Sequence, residues 1–295
     1  DQTVKKHWLQ FAVLLFSSLL WSLPVPAGLE LQAWHLFVIF ISAIFAVIIN
    51  AMPIFTSSII ALAAVVMTGT LTPKQAYSGF SEDFILLIII AFLIARGVIK
   101  SGLGKRIAFL IIRKFGTSSL KLGYSVVAAD MFISPAFPSN TARSGVLFPI
   151  VNALAADSGS KVSDGSRKKI GAFLMMTSMA GLTLSSTLWL TAMAANPAGA
   201  KMAKEVGINI SYGSWALAAS LPVAILYVLV PWVIFKLYPP VLKETPEAPK
   251  IAQEALTKMG PVHKNEWIMA LTFIGMVILW IMAGSWGLNK TAVAF

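Results

Sequence analysis

The chain of 295 residues is 57% hydrophobic and only 12% charged, with 23 Lys and Arg against 12 Asp and Glu. A soluble domain carries about twice that charged fraction, so the composition excludes an ordinary soluble protein and predicts a polytopic α-helical membrane protein. The absence of cysteine from the sequence excludes disulfides, thiolate metal sites and catalytic thiols.

Seven apolar stretches approach or reach the roughly 17–25 residues that a helix needs to cross a bilayer. In chain order they lie near 8–23, 31–49, 54–70, 84–99, 169–195, 213–237 and 266–284. Two shorter apolar stretches, at about 120–137 and 144–156, flank a Pro-rich break. Because neither crosses comfortably alone, residues 120–158 are predicted to form a re-entrant helical hairpin that enters and leaves the membrane by one face.

The distribution of basic residues supports this hairpin. With the N-terminus inside the cell and the hairpin not crossing, seventeen Lys and Arg fall on the cytoplasmic side and four on the other. The positive-inside rule predicts such an excess, whereas a crossing hairpin would invert every later loop and bring the two sides towards parity. Membrane topology thus explains the net charge of +11, and no nucleic-acid partner is predicted.

Two stretches outside the spans have features of their own. Residues 104–116 carry basic residues at both ends of an apolar stripe, which is typical of an amphipathic helix lying at the membrane surface. Residues 239–264 are rich in Pro, Glu and Lys, and we predict a solvated cytoplasmic linker with a short helix near 250–258.

Ser139, Asn140 and Thr141 lie at the break in the hairpin, where one half-helix ends and the other begins. Such residues are preferred helix N-caps, and a beginning helix offers free N–H groups and the positive end of its dipole. We therefore interpret the break as a site for a carboxylate or similar anion. Carbonyls freed at the end of the first half-helix could instead bind Na⁺. An ordinary loop with routine capping is the structural alternative.

Arg143 follows within an apolar segment. Placing a charged side chain in the membrane costs free energy, so such a residue is interpreted first as functional. Two roles are predicted: pairing with a substrate carboxylate, or taking the place of a coupling cation. The structural alternatives are an ion pair with Asp130 and extension of the side chain to the cytoplasmic face.

A second break is predicted in the span 169–195. Hydroxyl side chains recur at 185, 186, Thr187 and Thr191, and the run ends in Asn196-Pro197. Proline removes a backbone donor and pushes the preceding residue out of helical geometry, so both breaks are expected to line one cavity. Bonding of the hydroxyls to their own helix is the alternative.

The hydroxyl runs have no histidine or carboxylate pair nearby in the sequence to activate a nucleophile. The G-x-x-x-x-G-K-[ST] phosphate-binding motif does not occur either. Neither an enzyme nor direct ATP drive is therefore predicted.

The string P-S-N-T-A-R-S-G-V-L-F-P-I at 138–150 closely resembles the signature of the divalent anion/sodium symporter family. Its citrate–succinate, tartrate–succinate and 2-oxoglutarate–malate exchangers are the nearest branch. The stretches S-G-F-S-E-D at 78–83 and S-S-T-L-W-L-T-A-M-A-A-N-P at 185–197 agree, and the resemblance covers nearly all of 8–284. It implies an inverted-repeat transporter that works by an elevator movement, usually as a homodimer.

In that scheme the chain has four parts. Residues 1–116 provide scaffold spans and the surface helix, 117–238 the transport part, 239–264 the linker, and 265–295 the first span of a second repeat. Family members carry a second S-N-T in a mirror-image hairpin, which this sequence lacks. The expectation is a longer protein, or a separate polypeptide for the other half. The first is favoured, because one repeat cannot close a site built at the repeat interface.

The resemblance also implies roles for individual residues. Ser139, Asn140 and Thr141 would hold a substrate carboxylate, with Ser139 and Asn140 as the candidates for a sodium site. Thr191 and Asn196 would face them from the second break. Together with Arg143 and Thr187 they complete the predicted substrate site, and no metal or cofactor is predicted beyond Na⁺ as a candidate coupling ion.

The leading interpretation is a secondary transporter of di- or tricarboxylates, such as 2-oxoglutarate, malate, succinate, citrate or tartrate, in a bacterial cytoplasmic membrane. Exchange of one carboxylate for another is favoured, since a fixed charge on Arg143 could balance part of the substrate charge. A Na⁺-coupled dicarboxylate symporter and a transporter of an inorganic oxyanion such as sulfate are alternatives. A non-transporting membrane scaffold or receptor is the alternative from another class.

Overall fold

The computed structural model describes residues 2–295, which are mostly helical, and no strand occurs among them. Asp1, where the predicted scaffold part begins, lies outside the described residues. The helices form two compact units that divide between Glu82 and Asp83. The predicted boundaries after 116, 238 and 264 all lie inside the second unit.

The first unit is built around α2, which packs against both α1 and α3. Its helices are α1 (Gln2–Ser22), α2 (Leu31–Ile48), α3 (Ile54–Met67) and α4 (Pro73–Tyr77), followed by a 3-10 turn at Ser78–Ser81. Ser57 Oγ donates to the carbonyl of Ala43 at 2.8 Å and joins α3 to α2. At α4, Thr72 and Gln75 form a reciprocal capping box, which explains why this short helix begins where it does.

The second unit contains the predicted hairpin and its neighbours. Its helices are α5 (Asp83–Ser101), α6 (Leu103–Phe115), α7 (Ser119–Ile133), α8 (Asn140–Asp157), α9 (Gly171–Leu188), α10 (Ala195–Glu205), α11 (Tyr212–Leu237), α12 (Glu247–Met259), α13 (Lys264–Trp286) and α14 (Lys290–Ala294). Short 3-10 turns lie at Ser134–Ala136, Ser166–Lys168 and Leu190–Ala192. The largest core cluster surrounds α7, α8 and α9.

Helices occupy all seven predicted spans, as expected for a polytopic membrane protein. Among the described residues, five helices are long and apolar enough to cross a membrane: α2, α5, α9, α11 and α13. The span predicted at 54–70 contains the shorter α3, whose 14 residues cover about 21 Å against a hydrocarbon core of about 30 Å. The fifth and sixth residues of α1, Lys6 and His7, are polar, and this helix is not among the five.

The predicted hairpin is present as α7 and α8, joined through the 3-10 turn and Pro138. Both halves pack against α9. A Cβ added at Gly123 would lie 2.8 Å from the ring of Phe173, and one at Gly181 would lie 3.0 Å from Val127. Glycine at these two positions therefore allows α7 and α9 to approach closely, which fixes the hairpin to α9.

The predicted surface helix corresponds to α6, and residues 239–264 are more ordered than a solvated linker. α12 packs along α6, and its Ala252 is fully buried between them. Residues 241–245 also bond to the start of the hairpin and to the residues that precede α9. Ser119 N–H donates to the carbonyl of Lys243 at 2.9 Å, and Val241 N–H donates to that of Lys168 at 3.0 Å.

Arg106 connects α6 to the start of α13. Its guanidinium makes a bidentate ion pair with Glu266 and donates to the carbonyls of Gly260 at 3.1 Å and Pro261 at 3.3 Å. The hydrogen bond to the Glu266 carboxylate raises the pKa of Arg106 above its ordinary value. The planar fork of arginine suits this set of four acceptors, which lysine could not match.

Candidate functional site

The tip of the hairpin and the break in the following span are in direct contact. α9 ends at Leu188, and the chain runs through extended backbone and the 3-10 turn Leu190–Ala192 before α10 begins at Ala195. Within that turn, Thr191 Oγ1 donates to the carbonyl of Pro135 at 2.9 Å. The two breaks predicted from the sequence therefore meet at one place in the second unit.

The second break lies within the predicted stretch 185–197 but is shorter. Asn196 and Pro197 are expected to end the span, but both lie in the first turn of α10. Proline is tolerated there because first-turn N–H groups have no partner within the helix. The unwound segment is therefore 189–194. The amide of Asn196 bonds across it, donating to the carbonyls of Ser186 at 2.8 Å and Trp189 at 3.2 Å.

Asn140, the first residue of α8, has an amide orientation that its neighbours fix. Its Oδ1 accepts from Nη2 of Arg143 at 2.6 Å and from Oγ of Ser186. A guanidinium can only donate, so the amide oxygen must face it and the amide NH₂ turns away. The partly exposed side chain thus keeps two Nδ2 donors that bond to nothing else in the described part of the chain.

The backbone at the start of α8 adds further donors. Ser139 caps the helix: its Oγ accepts from the N–H of Ala142 at 3.4 Å, and its carbonyl accepts from that of Arg143 at 3.1 Å. The N–H groups of Asn140 and Thr141 have no partner among the described residues, as is usual in a first turn. Thr141 is exposed. Together with the helix dipole, these groups favour an anion.

Arg143 is completely buried and connects the two breaks. Its Nε lies 3.3 Å from Oδ1 of Asp130, its Nη1 donates to the carbonyl of Ala192 at 3.1 Å, and its Nη2 also donates to that of Leu182 at 2.8 Å. Of the interpretations open for Arg143, the ion pair with Asp130 is the one whose contacts the structure contains. The guanidinium is also in direct contact with Asn140.

The remaining predicted site residues have different surroundings. Thr191 is buried at the contact between the breaks. Thr187 is exposed, and its Oγ1 donates to the carbonyl of Thr183 at 3.2 Å, one turn earlier in α9. This is the bonding of a hydroxyl to its own helix that the sequence left open. The structure thus brings Asn140 and Arg143 together with the second break, while Thr187 is not bonded to them.

Two central residues are absent from the predicted site. Ser186 bonds to both Asn140 and Arg143, and Asp130 neutralises Arg143. The sequence contains features that point to both: Ser186 belongs to the hydroxyl run, and Asp130 is the one acidic residue in the sequence of α7. Their spacing in the sequence does not show which partner each one meets.

These features define a class: a polytopic helical membrane protein in which two discontinuous segments meet at a locus rich in hydrogen-bond donors. Residues 4–295 match the family described as the sodium:sulfate symporter transmembrane region. The chain belongs to this family, and the predicted membership of the divalent anion/sodium symporters is confirmed.

Three relatives illustrate the range of the family. The "Putative malate transporter YflS" of Bacillus subtilis is 46% identical over 94% of this chain and 58% of its own length. Dicarboxylate transporter 1 of spinach chloroplasts (Spinacia oleracea) is 42% identical over 96% of this chain and 50% of its own. The L-tartrate/succinate antiporter of Escherichia coli is 34% identical over 95% of this chain and 61% of its own. The chain thus spans about half to three fifths of the length of these relatives.

Proposed function

We propose that the protein is a secondary transporter of di- and tricarboxylates that exchanges one anion for another, and that it is not an enzyme. The observation that carries the proposal is the pair of free amide donors of Asn140 at the start of α8, oriented by Arg143. Helix N-termini bind carboxylates, and discontinuous helices of transporters use them for this purpose. The relatives named for malate, dicarboxylate, tartrate and succinate transport support the same substrate class.

In the proposed site, Ser139, Asn140 and Thr141 bind one substrate carboxylate through hydroxyl, amide and backbone N–H groups. Thr191 holds the unwound segment against the hairpin tip, and Asn196 bonds across that segment, which supports their assignment to the site. Thr187 lies on the exposed face of α9 and lines the approach to the second break.

Arg143 acts in this site through its charge and through the orientation of Asn140. Two oxygen atoms available to a sodium ion at the breaks already accept hydrogen bonds: Asn140 Oδ1 from Arg143 and Ser186, and the Pro135 carbonyl from Thr191. This supports exchange over the alternative, a Na⁺-coupled symporter in which Ser139 and Asn140 hold the ion.

The proposed transport cycle is an elevator movement in a bacterial cytoplasmic membrane, with the N-terminus in the cytoplasm and two copies forming a dimer. Residues 1–116 provide the scaffold, 117–238 the moving part, 239–264 the linker and 265–295 a further span. The re-entrant hairpin is supported by the 15 residues of α7, which cover about 22 Å where the hydrocarbon core measures about 30 Å.

An inorganic oxyanion such as sulfate is a second candidate substrate. The description of the family as sodium:sulfate symporters favours it, and a helix N-terminus accepts any oxyanion. Competition separates the candidates: for a carboxylate transporter, excess malate suppresses uptake of labelled succinate and excess sulfate does not.

Uptake into liposomes tests the exchange. The protein is expressed from its complete reading frame and reconstituted into vesicles loaded with malate or with buffer alone. We expect rapid uptake of labelled succinate into malate-loaded vesicles without Na⁺, and little into buffer-loaded ones. Equal uptake into both, with a requirement for Na⁺, would show symport instead.

A further inference from the structure

We infer that Asp130 determines which anion charge the site prefers, because it neutralises Arg143. The inference rests on the proposed carboxylate site and adds a specificity determinant to it. Asp130 is 1% exposed and Arg143 is 0% exposed, and their charged groups are 3.3 Å apart. Ser185 Oγ donates to the other carboxylate oxygen, Oδ2, so the Asp130 carboxylate contacts Arg143 through one oxygen and Ser185 through the other.

The guanidinium of Arg143 lies between Asp130 and the candidate site. One side of it faces the carboxylate, and Nη2 donates to Oδ1 of Asn140, the residue whose amide donors are free. A substrate carboxylate bound at Asn140 is therefore close to the positive charge and farther from the negative one. The substrate experiences the pair as a dipole rather than as a full positive charge.

Within the hairpin and α9, the charged groups other than Asp130 and Arg143 are exposed. The sequence of α9 contains no charged residue. The remaining charges of α7 and α8, Lys121 and Asp157, are exposed to solvent, where water and salt screen them. Asp130 and Arg143 are consequently the buried charges that these three helices bring to the break.

Removing the negative charge would leave Arg143 uncompensated in a buried setting, where the effective dielectric constant is about 20 rather than about 80. An anion with three negative charges gains more from that change than an anion with two. We expect Asp130→Asn to raise the preference for a tricarboxylate over a dicarboxylate on the order of tenfold.

The test uses the full-length protein in liposomes at an alkaline pH where every substrate carboxyl group is ionised. Inhibition of labelled succinate uptake by citrate and by unlabelled succinate gives a ratio of apparent affinities. That ratio should rise about tenfold in Asp130→Asn. It should stay at the wild-type value in Asp130→Glu, which retains the charge, and in Asp157→Asn, which removes an exposed charge from α8.

An unchanged ratio in a folded, transporting Asp130→Asn protein would overturn the inference while leaving the proposed function intact. A general loss of affinity with no change of ratio would overturn it as well, since a merely structural role predicts that result. If Asp130→Asn does not fold, Arg143→Gln is measured instead. It removes the positive charge and leaves the negative charge of Asp130, so the citrate-to-succinate affinity ratio must then fall. Wild-type protein that binds no carboxylate would refute both the inference and the proposed function.

Discussion

Arg143 makes most of the contacts that join the residues of the candidate site. It bonds to Asn140 within its own helix, to Ser186 on α9 and to the carbonyl of Ala192 in the second break. A lysine would bring the same charge but only a compact point donor, so the fork of arginine is needed for this geometry. Arg143 therefore has a second role besides its charge, because it orients the side-chain amide of Asn140.

Ser186→Ala tests this arrangement at the level of one atom. The substitution removes a hydroxyl that donates to Asn140 and accepts from Arg143. Loss of a buried hydrogen-bond partner costs about 1–3 kcal/mol, and part of that loss should appear as weaker succinate binding because Asn140 is less well oriented. We expect the apparent affinity in the uptake assay to fall on the order of tenfold.

Ser178→Ala is the matched control. Ser178 also lies on α9, and its Oγ donates to the carbonyl of Leu174 one turn earlier, away from the site. Its affinity for succinate should be that of the wild type. Equal affinities for the two variants would show that Ser186 does not act on the site.

The sequence could predict the hairpin tip because capping and helix breaking are local properties of Ser139, Asn140 and Thr141. It could not decide the role of Arg143. Asp130 lies on the other half of the hairpin, and only the packing of α7 against α8 shows that the two charges meet.

Among the elements, the segment after α11 is bonded to distant parts of the second unit. Residues 241–245 bond to the start of the hairpin and to the residues before α9, and Thr245 N–H donates to the carbonyl of Thr117 at 3.0 Å. Composition made this segment look solvated, because Pro, Glu and Lys are typical of linkers. Composition does not show hydrogen bonds between backbone groups that are far apart in the chain. The ordered position of residues 241–245 could therefore not be predicted.

Helix positions were more accessible to prediction than the site of the second break. Apolar length determined the spans, and all seven contain helices. The motif Asn196-Pro197 indicated an interruption, but it did not show whether the proline ends one helix or begins the next. Proline fits the first turn of α10 as readily as it ends a preceding helix.

Cysteine labelling tests whether the hairpin is re-entrant: single cysteines are introduced into residues 1–295, which contain none, in protein whose remaining sequence has been made cysteine-free. Lys114→Cys and Asp164→Cys lie before and after the hairpin, and both positions are exposed. A re-entrant hairpin places them on one side of the membrane, so an impermeant maleimide should label both only from the cytoplasmic side. Lys204→Cys, beyond α9, should be labelled only from the opposite side.

Labelling of Lys114→Cys and Asp164→Cys from opposite sides would contradict the proposed topology, because the hairpin would then cross the membrane. Every later loop would change sides with it, including the one that contains Lys204.

For the whole molecule, composition, charge distribution and family agree on a polytopic membrane protein, and we propose that it is a transporter. The proposed topology would account for the net charge of +11 through the positive-inside rule, and the family match extends over residues 4–295. The chemistry proposed here rests on one locus in the second unit, where two unwound segments meet and Asn140 keeps free amide donors. Its central claim is that this locus binds the carboxylate substrate.

Ligand-induced stabilisation of the whole protein tests that claim most directly. Thermal unfolding of the detergent-solubilised protein is followed with and without succinate or malate, for the wild type, Asn140→Ala and Asn152→Ala. A ligand at a hundred times its dissociation constant stabilises a folded protein by about 2.7 kcal/mol, so the wild type should unfold at a higher temperature when substrate is present. Asn152 lies on the exposed face of the same helix and serves as the control.

The account predicts that Asn140→Ala unfolds near the wild-type temperature without ligand but gains no stabilisation from either carboxylate. Asn152→Ala should gain as much as the wild type. Full stabilisation of Asn140→Ala by succinate or malate would contradict the account, because the substrate would then bind elsewhere.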